Sequence, residues 1–157
     1  MTQGILVVCM GNICRSPMAE GLLRKKLASA GMSGDVIVDS AGTGPWHVGR
    51  PPDPRAVTAC RDHGVAIDGL RGRQVGLDDF TRFSLILCAD RRNLRHLRAM
   101  APPEAWPRIG LLLGWAGLGA DCEVPDPYAG SFADFQQVFG LLDRATDAIL
   151  TRLQLPA

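Results

Sequence analysis

Residues 4 to 9, GILVVC, form a continuous apolar run rich in branched side chains, and a helical pattern, RSPMAEGLLRKKLASAG, begins soon after at Arg15. A short run without polar alternation marks a parallel strand covered on both faces. In the segment that follows, Leu22, Leu23, Leu27 and Ala30 recur at helical spacing and Gly31 supplies the stop.

This alternation repeats along the chain. VIVDSAG at 36–42 reads as a second strand, ending in a loop through TGPWHVGRPPDP. Asp53 then offers an N-cap and Pro54 a first-turn proline for a helix to about Gly64. FSLILCAD at 83–90 reads as a third strand, Asp90 can cap RRNLRHLRAM, and Pro102 and Pro103 close that helix. RIGLLLGW at 108–115 reads as a fourth strand. The last helix starts with Ser131 and Asp134 in capping-box spacing, and Phe135, Val138, Phe139, Leu142, Ile149 and Leu153 make its apolar stripe. The sum is an α/β fold: a doubly wound, four-stranded parallel sheet with helices on both faces, Rossmann-like.

No repeat, low-complexity tract or linker-like composition shift marks a boundary, so residues 1–157 are expected to form one domain. The longest apolar stretch, IGLLLGWAGLGA at 109–120, is too short and too rich in glycine to cross a bilayer as a helix, and it reads as strand and loop. A net charge of +1 supplies no broad basic field for nucleic acid, although local patches stay open. Five cysteines, an odd number, with no cleavable apolar leader favour a reduced, cytoplasmic setting.

Ligands of open α/β sheets bind beyond the carboxyl ends of the strands, which directs attention to VVCMGNICRSP at 7–17. Cys9 and Arg15 stand with five residues between them, a spacing that lets a loop curl so that sulfur and guanidinium face one anion. With five Cys in a chain this rich in Arg, about half a pair of that spacing is expected by chance, so context has to carry the claim. Here the cysteine ends a strand and Gly11 permits a tight turn. Ser16-Pro17 opens a helix whose free amides favour an anion. The same field, with Arg15, favours Cys9 as a nucleophile, and the planar Arg15 fork suits two phosphoryl oxygens.

Other chemistries fit less well. A zinc knuckle wants a second close ligand pair. Cys60 and His63 are the nearest candidates, but they are expected on a helix surface, and Cys9 and Cys14 are far apart for a knuckle. A nucleotide P-loop fails because GNICRS lacks the Gly-Lys-Ser/Thr end, and GTGPWHVG is not a dinucleotide fingerprint. Cys14 either fills space below the loop or forms a reversible disulfide with Cys9. A cysteine attacking a phosphoryl group also needs an acid for the departing oxygen, and EVPDPYAG at 123–130 offers Asp126 between two prolines, with the Tyr128 ring beside it. An ordinary Pro-Asp-Pro turn is the competing account of that segment.

CMGNICRSP, SAGTGPWHVGRPPDPRA at 40–56, GRQV at 72–75, LILCADRRNL at 85–94 and VPDPY at 124–128 together closely resemble the low-molecular-weight protein tyrosine phosphatase family, in its order and spacing and over essentially the whole chain. The resemblance implies a fold of the phosphotyrosine protein phosphatase I type. It implies that Cys9 forms a phosphocysteine, that Arg15 binds phosphate and stabilises the transition state, and that Asp126 acts as general acid and then as base. Met10, Gly11, Asn12, Ile13, Cys14 and Ser16 are expected at the phosphate, with Asn12, Ser16 and Ser40 forming the supporting network. Trp46 lies on the segment resembling the variable pocket wall, where it either sandwiches a phenyl ring with Tyr128 or packs its loop onto the core. The family uses no metal or organic cofactor. Expected partners are phosphotyrosine proteins, a bacterial tyrosine kinase among them, for a monomer or weak dimer.

Two departures stand out. Ala129 follows Tyr128 where the family often has a second aromatic residue, and Leu70 stands where many members have a His, so other groups must order Asn12 and Ser16. Relatives on the fold include arsenate reductases, which need further cysteines near 80–90, where this chain has only Cys88. They also include protein-arginine phosphatases, which typically have Thr where this chain has Ile13. Ile13 suits an aryl ester, which favours phosphotyrosine. A non-catalytic phosphotyrosine-binding module would lack the nucleophile or the acid, and both are present.

Overall fold

The computed structural model describes residues 3–119 and 122–154. Four parallel strands, β1 (Gln3–Cys9), β2 (Val36–Gly42), β3 (Leu85–Cys88) and β4 (Ile109–Leu111), form one sheet in the order β2-β1-β3-β4. The strand order reverses beside β1, so the carboxyl end of β1 is the switch point where such sheets open a crevice.

β1 explains its own lack of alternation. Ile5, Val7 and Cys9 pack into one core, Leu6 and Val8 into another, and all five are buried. The first core joins the sheet to α1 (Arg15–Ser29), α2 (Pro54–Arg61) and the long C-terminal helix. The second joins it to the short α3 (Asp79–Arg82), to α4 (Arg91–Met100) and to a 3-10 segment at Pro103–Arg108. Helices therefore cover both faces, as the alternation requires.

α1 is buried along its whole first half, from Arg15 to Leu23, because it enters between the sheet and its neighbours; the stripe Leu22, Leu23 and Leu27 holds, while Ala30 is exposed at the cap. α2 begins as expected, with the Asp53 carboxylate accepting from the Arg55 N–H at 2.9 Å and Pro54 in its first turn. α4 has a full capping box: Asp90 Oδ1 accepts from Asn93 N at 2.8 Å, and Asn93 Oδ1 accepts from Asp90 N at 3.1 Å.

Four expectations need correction. The third strand is shorter than 83–90, because the chain turns at Asp90 to cap α4. RIGLLLGW is a strand only over Ile109–Leu111. Leu112–Trp115 makes a helical turn, α5, which puts Leu112 and Leu113 into the first core, something an extended run would do for only one of them. Ala120, the end of that apolar stretch, lies outside the described residues. Cys60 is fully buried in α2, so it is not on a helix surface, and His63 sits past the helix end, stacked on Phe139 with ring centroids 4.4 Å apart. The last helix, α6 (Phe132–Gln154), buries Phe135, Val138, Phe139, Leu142 and Ile149, but Leu153 only in part. Among the described residues no helix is long and apolar enough to cross a membrane.

Candidate active site

After Cys9 the chain curls through Met10–Cys14 into α1, and its carbonyls are tied outward. Cys9 O accepts from Thr43 N at 2.9 Å, Met10 O from Gly44 N at 3.1 Å and Ile13 O from Asp53 N at 2.8 Å. Among the described residues no protein group accepts from the N–H groups of Gly11 to Cys14. Inward N–H groups at a helix N-terminus make an anion-binding concavity. The loop also depends on Gly42, where a Cβ would lie 2.8 Å from Met10 O.

Asn12 has φ 59°, a left-handed conformation in which Asn is among the tolerated residues. Its side chain holds the loop from behind: Nδ2 donates to Ser16 Oγ at 2.8 Å and to Ser40 Oγ at 2.9 Å, while Oδ1 accepts from Arg73 N at 3.0 Å. Ser16 Oγ lies 3.0 Å from Cys9 Sγ. Because that oxygen already accepts from Asn12, its own hydrogen is free to point at the sulfur. Neither Asn12, Ser16 nor Ser40 lines the cavity described below.

Two residues unnamed from sequence answer the question raised by Leu70. Arg73 supplies the N–H on Asn12, and its guanidinium is anchored to Asp39 and, by two bonds of 3.0 Å, to buried Asp79. Glu20, only 2% exposed, accepts from Ser40 Oγ at 2.6 Å, and its Oε2 lies 2.7 Å from Arg24 Nη2, off the hydrogen-bonding direction. Burial pushes the Glu20 carboxyl up, against the pull of Ser40 and Arg24. A carboxyl that is higher in the folded than in the unfolded chain contributes stability fully present below the unfolded value, about 4.3 for Glu, and lost as pH rises through the folded one. Thermal unfolding followed across this range should therefore show a fall in stability with rising pH that Glu20→Gln flattens; identical slopes in both proteins would contradict it.

Arg15 is 3% exposed. Its Nη1 donates to Asp90 Oδ2 at 2.8 Å and to Val124 O at 3.0 Å, which fixes one nitrogen and aims the rest of the planar fork. Burial alone would raise the Asp90 carboxyl, but its bonds from Arg15 and from Asn93 N outweigh that and hold it below the usual carboxylate range. Asp90 thus both caps α4 and orients Arg15.

The segment that carries Asp126 is brought to the site by two anchors. Val124 N donates to Ala89 O at 2.8 Å at the end of β3, and Arg55, held by Asp53, donates to Tyr128 O at 2.9 Å and Gly130 O at 3.0 Å. Asp126 Oδ1 accepts from Tyr128 N at 3.1 Å, and Oδ2 lies 3.6 Å from Arg15 Nη2.

A cavity of about 240 Å³ gathers these groups: Cys9, Met10, Gly11, Ile13, Cys14, Arg15 and Asp126 line it together with Trp46, His47 and Tyr128. Trp46 is 64% and Tyr128 52% exposed, so neither ring is a core residue, and His47 stands 6.2 Å from the Tyr128 ring. His47 escaped sequence reasoning because a His in a Pro/Gly-rich loop carries no signal of its own. Cys9 and Cys14 are both free thiols. Burial, and then the charge on Cys9, raise the Cys14 thiol far above its ordinary value, which keeps it protonated. Cys88 is buried on β3 and pushed up to about 12 by burial, with its Sγ bonded to Gly110 O. One cavity therefore gathers a cysteine sulfur, a fixed guanidinium and a carboxyl group beside unpaired loop N–H groups, the set that phosphoryl transfer to cysteine requires.

The model of the low molecular weight phosphotyrosine protein phosphatase family matches residues 4–156. A low molecular weight protein-tyrosine-phosphatase of Streptomyces coelicolor is 39% identical, the match covering 98% of this chain and 95% of that protein. YfkJ from Bacillus subtilis superposes with a TM-score of 0.89 at 37% identity, over 98% of this chain and 96% of its own. A protein tyrosine phosphatase from Entamoeba histolytica gives a TM-score of 0.92 at 31% identity, over 98% and 97%.

Proposed function

The chain belongs to the low molecular weight phosphotyrosine protein phosphatase family, and from that premise we propose how its residues divide the work of a cysteine-dependent protein-tyrosine phosphatase. The observation that carries the proposal is the convergence of Cys9, Arg15 and Asp126 on one cavity walled by Trp46 and Tyr128.

The phosphoryl group of phosphotyrosine sits in the loop, its oxygens on the Arg15 fork and the inward amides, with the phenyl ring between Trp46 and Tyr128. Met10, Gly11, Asn12, Ile13, Cys14 and Ser16 form the surrounding loop by their backbone. Cys9 Sγ attacks phosphorus, an S–P bond forms as the aryl P–O bond breaks, and Asp126 passes its proton to the departing phenolic oxygen. In the second step Asp126, now a carboxylate, takes a proton from water as its oxygen attacks phosphorus. The S–P bond breaks, inorganic phosphate leaves, and Cys9 returns as thiolate. Arg15 stabilises charge spread over the equatorial oxygens in both steps, while Asn12, Ser16 and Ser40 hold the loop and sulfur. Neither step calls on a metal or organic cofactor.

Its substrates are phosphotyrosine proteins, a bacterial tyrosine kinase among them, met in the cytoplasm by a monomer or weak dimer. Ile13 in the cavity favours an aryl ester over a phosphoguanidinium, and buried Cys88 is poorly placed to relay a disulfide. Phosphotyrosine peptide should accordingly be cleaved at least about 100-fold faster than phosphoarginine peptide, as a pocket selective for one group over another allows. Equal kcat/KM on the two peptides would sink the assignment of substrate.

A further inference from the structure

A net charge of +1 conceals a concentration of positive charge beside the cavity. α4 carries Arg91, Arg92, Arg95 and Arg98, all exposed, and its N-cap Asp90 is the residue that orients Arg15. Arg91, Arg95 and Arg98 fall at i, i+4 and i+7, one stripe of the helix. That stripe lines a depression of about 540 Å³ floored by Leu94, Leu111 and Trp115. A second depression, of about 560 Å³, is lined by Arg91, Arg92 and Arg95 and also by Arg15 and Asp126. Arg91 and Arg95 line both, so the two depressions adjoin, and together they form the α4 trough beside the general acid.

The acidic groups in the trough are already engaged. Glu123 accepts from Arg91 N at 2.8 Å and pairs with its guanidinium at 3.4 Å, Asp90 holds Arg15, and Asp126 is assigned to proton transfer. Arg98 lies over the Trp106 ring. Arg92 and Arg95 form no ion pair among the described residues, Arg92 acting on Asp90 only through its field. Two uncommitted arginines next to a phosphate site, over a partly apolar floor, complement a chain segment that is negatively charged and continuous with the bound phosphotyrosine.

We infer that the α4 trough is a second subsite, in which Arg92 and Arg95 take acidic side chains flanking the phosphotyrosine of a peptide substrate. The inference rests on the phosphatase reading above. An extended peptide advances about 3.3 Å per residue and α4 about 1.5 Å, so the length from Arg92 to Arg98, about 9 Å, spans some three peptide residues. Acidic residues within about three positions of the phosphotyrosine are therefore the ones the trough reaches.

The test compares kcat/KM on two phosphotyrosine peptides that differ only in flanking Glu and Asp against Gln and Asn, with p-nitrophenyl phosphate as a substrate too small to reach α4. The unaltered enzyme should favour the acidic peptide by about 5-fold or more, as two exposed charge contacts and steering provide. Raising salt should shrink that preference. In the Arg92→Ala, Arg95→Ala double variant the ratio should fall to near one, with p-nitrophenyl phosphate turnover within about twofold of the unaltered enzyme, because surface charges outside the reacting site act mainly on encounter. Equal use of both peptides by the unaltered enzyme, or an unchanged ratio in the double variant, overturns the subsite alone. Failure of the unaltered enzyme to hydrolyse p-nitrophenyl phosphate overturns the phosphatase reading and this inference with it.

Discussion

Cys9→Ser is expected to lower kcat for aryl phosphates by at least about 10⁴-fold, since a serine hydroxyl is a weak nucleophile without an adjacent base and the second thiol of the cavity, Cys14, is held protonated by burial. The groups that bind the substrate are untouched. Arg15 remains fixed by Asp90 and Val124, and the N–H groups of Gly11 to Cys14 stay unpaired. Affinity for a phosphotyrosine peptide should therefore survive while turnover vanishes. Calorimetric titration beside initial-rate measurements separates the two, and the variant should retain peptide while failing to release phosphate. Turnover near that of the unaltered protein would remove Cys9 from the mechanism.

Asp126→Ala is expected to cost about 10² to 10⁴ in kcat, the range for a positioned general acid or base. The loss should depend on the leaving group. A p-nitrophenolate departs without a proton, so its ester needs the acid less than phosphotyrosine does in the first step. Plotting log kcat/KM, which reports the step that expels the leaving group, against leaving-group pKa should give a steeper negative slope for Asp126→Ala than for the unaltered enzyme; parallel lines would show that Asp126 donates no proton to the leaving group. The fold around the substitution should persist, because the segment is anchored at Val124 and by Arg55 on Tyr128 and Gly130, and the Asp126 side chain adds only its local bond to Tyr128 N and a 3.6 Å approach to Arg15 Nη2.

Elements whose physics is local were legible in the sequence. β1 had no polar alternation because both its faces are covered, and the caps at Asp53 and Asp90 formed as their side-chain chemistry dictates. The helical turn at Leu112–Trp115 is not legible, because a short apolar run fits a buried strand and a buried helical turn equally, and packing beneath α6 decides between them. The burial of Cys60 is not legible for a similar reason: it depends on which side of α2 faces the core.

At the site, Cys9, Arg15 and Asp126 could be named because each belongs to a short segment with its own chemical logic. Glu20, Arg55, Arg73 and His47 could not, since their roles arise only when distant segments meet: Glu20 on Ser40, Arg55 on the carbonyls of Tyr128 and Gly130, the Arg73 N–H on Asn12. Asp90 was legible as a cap but not as the group that aims Arg15, because a capping residue gives no sign of what its second oxygen meets.

The central claim is that phosphate passes through the sulfur of Cys9. Quenching the unaltered enzyme in acid within its first turnovers of a phosphotyrosine peptide, digesting it and reading the Cys9 peptide by mass spectrometry tests that directly. The account predicts one phosphoryl group on Cys9, absent from the Cys9→Ser protein, and released as inorganic phosphate when turnover is allowed to finish. A peptide unmodified at Cys9 during steady turnover, or phosphate found on another residue, would contradict it.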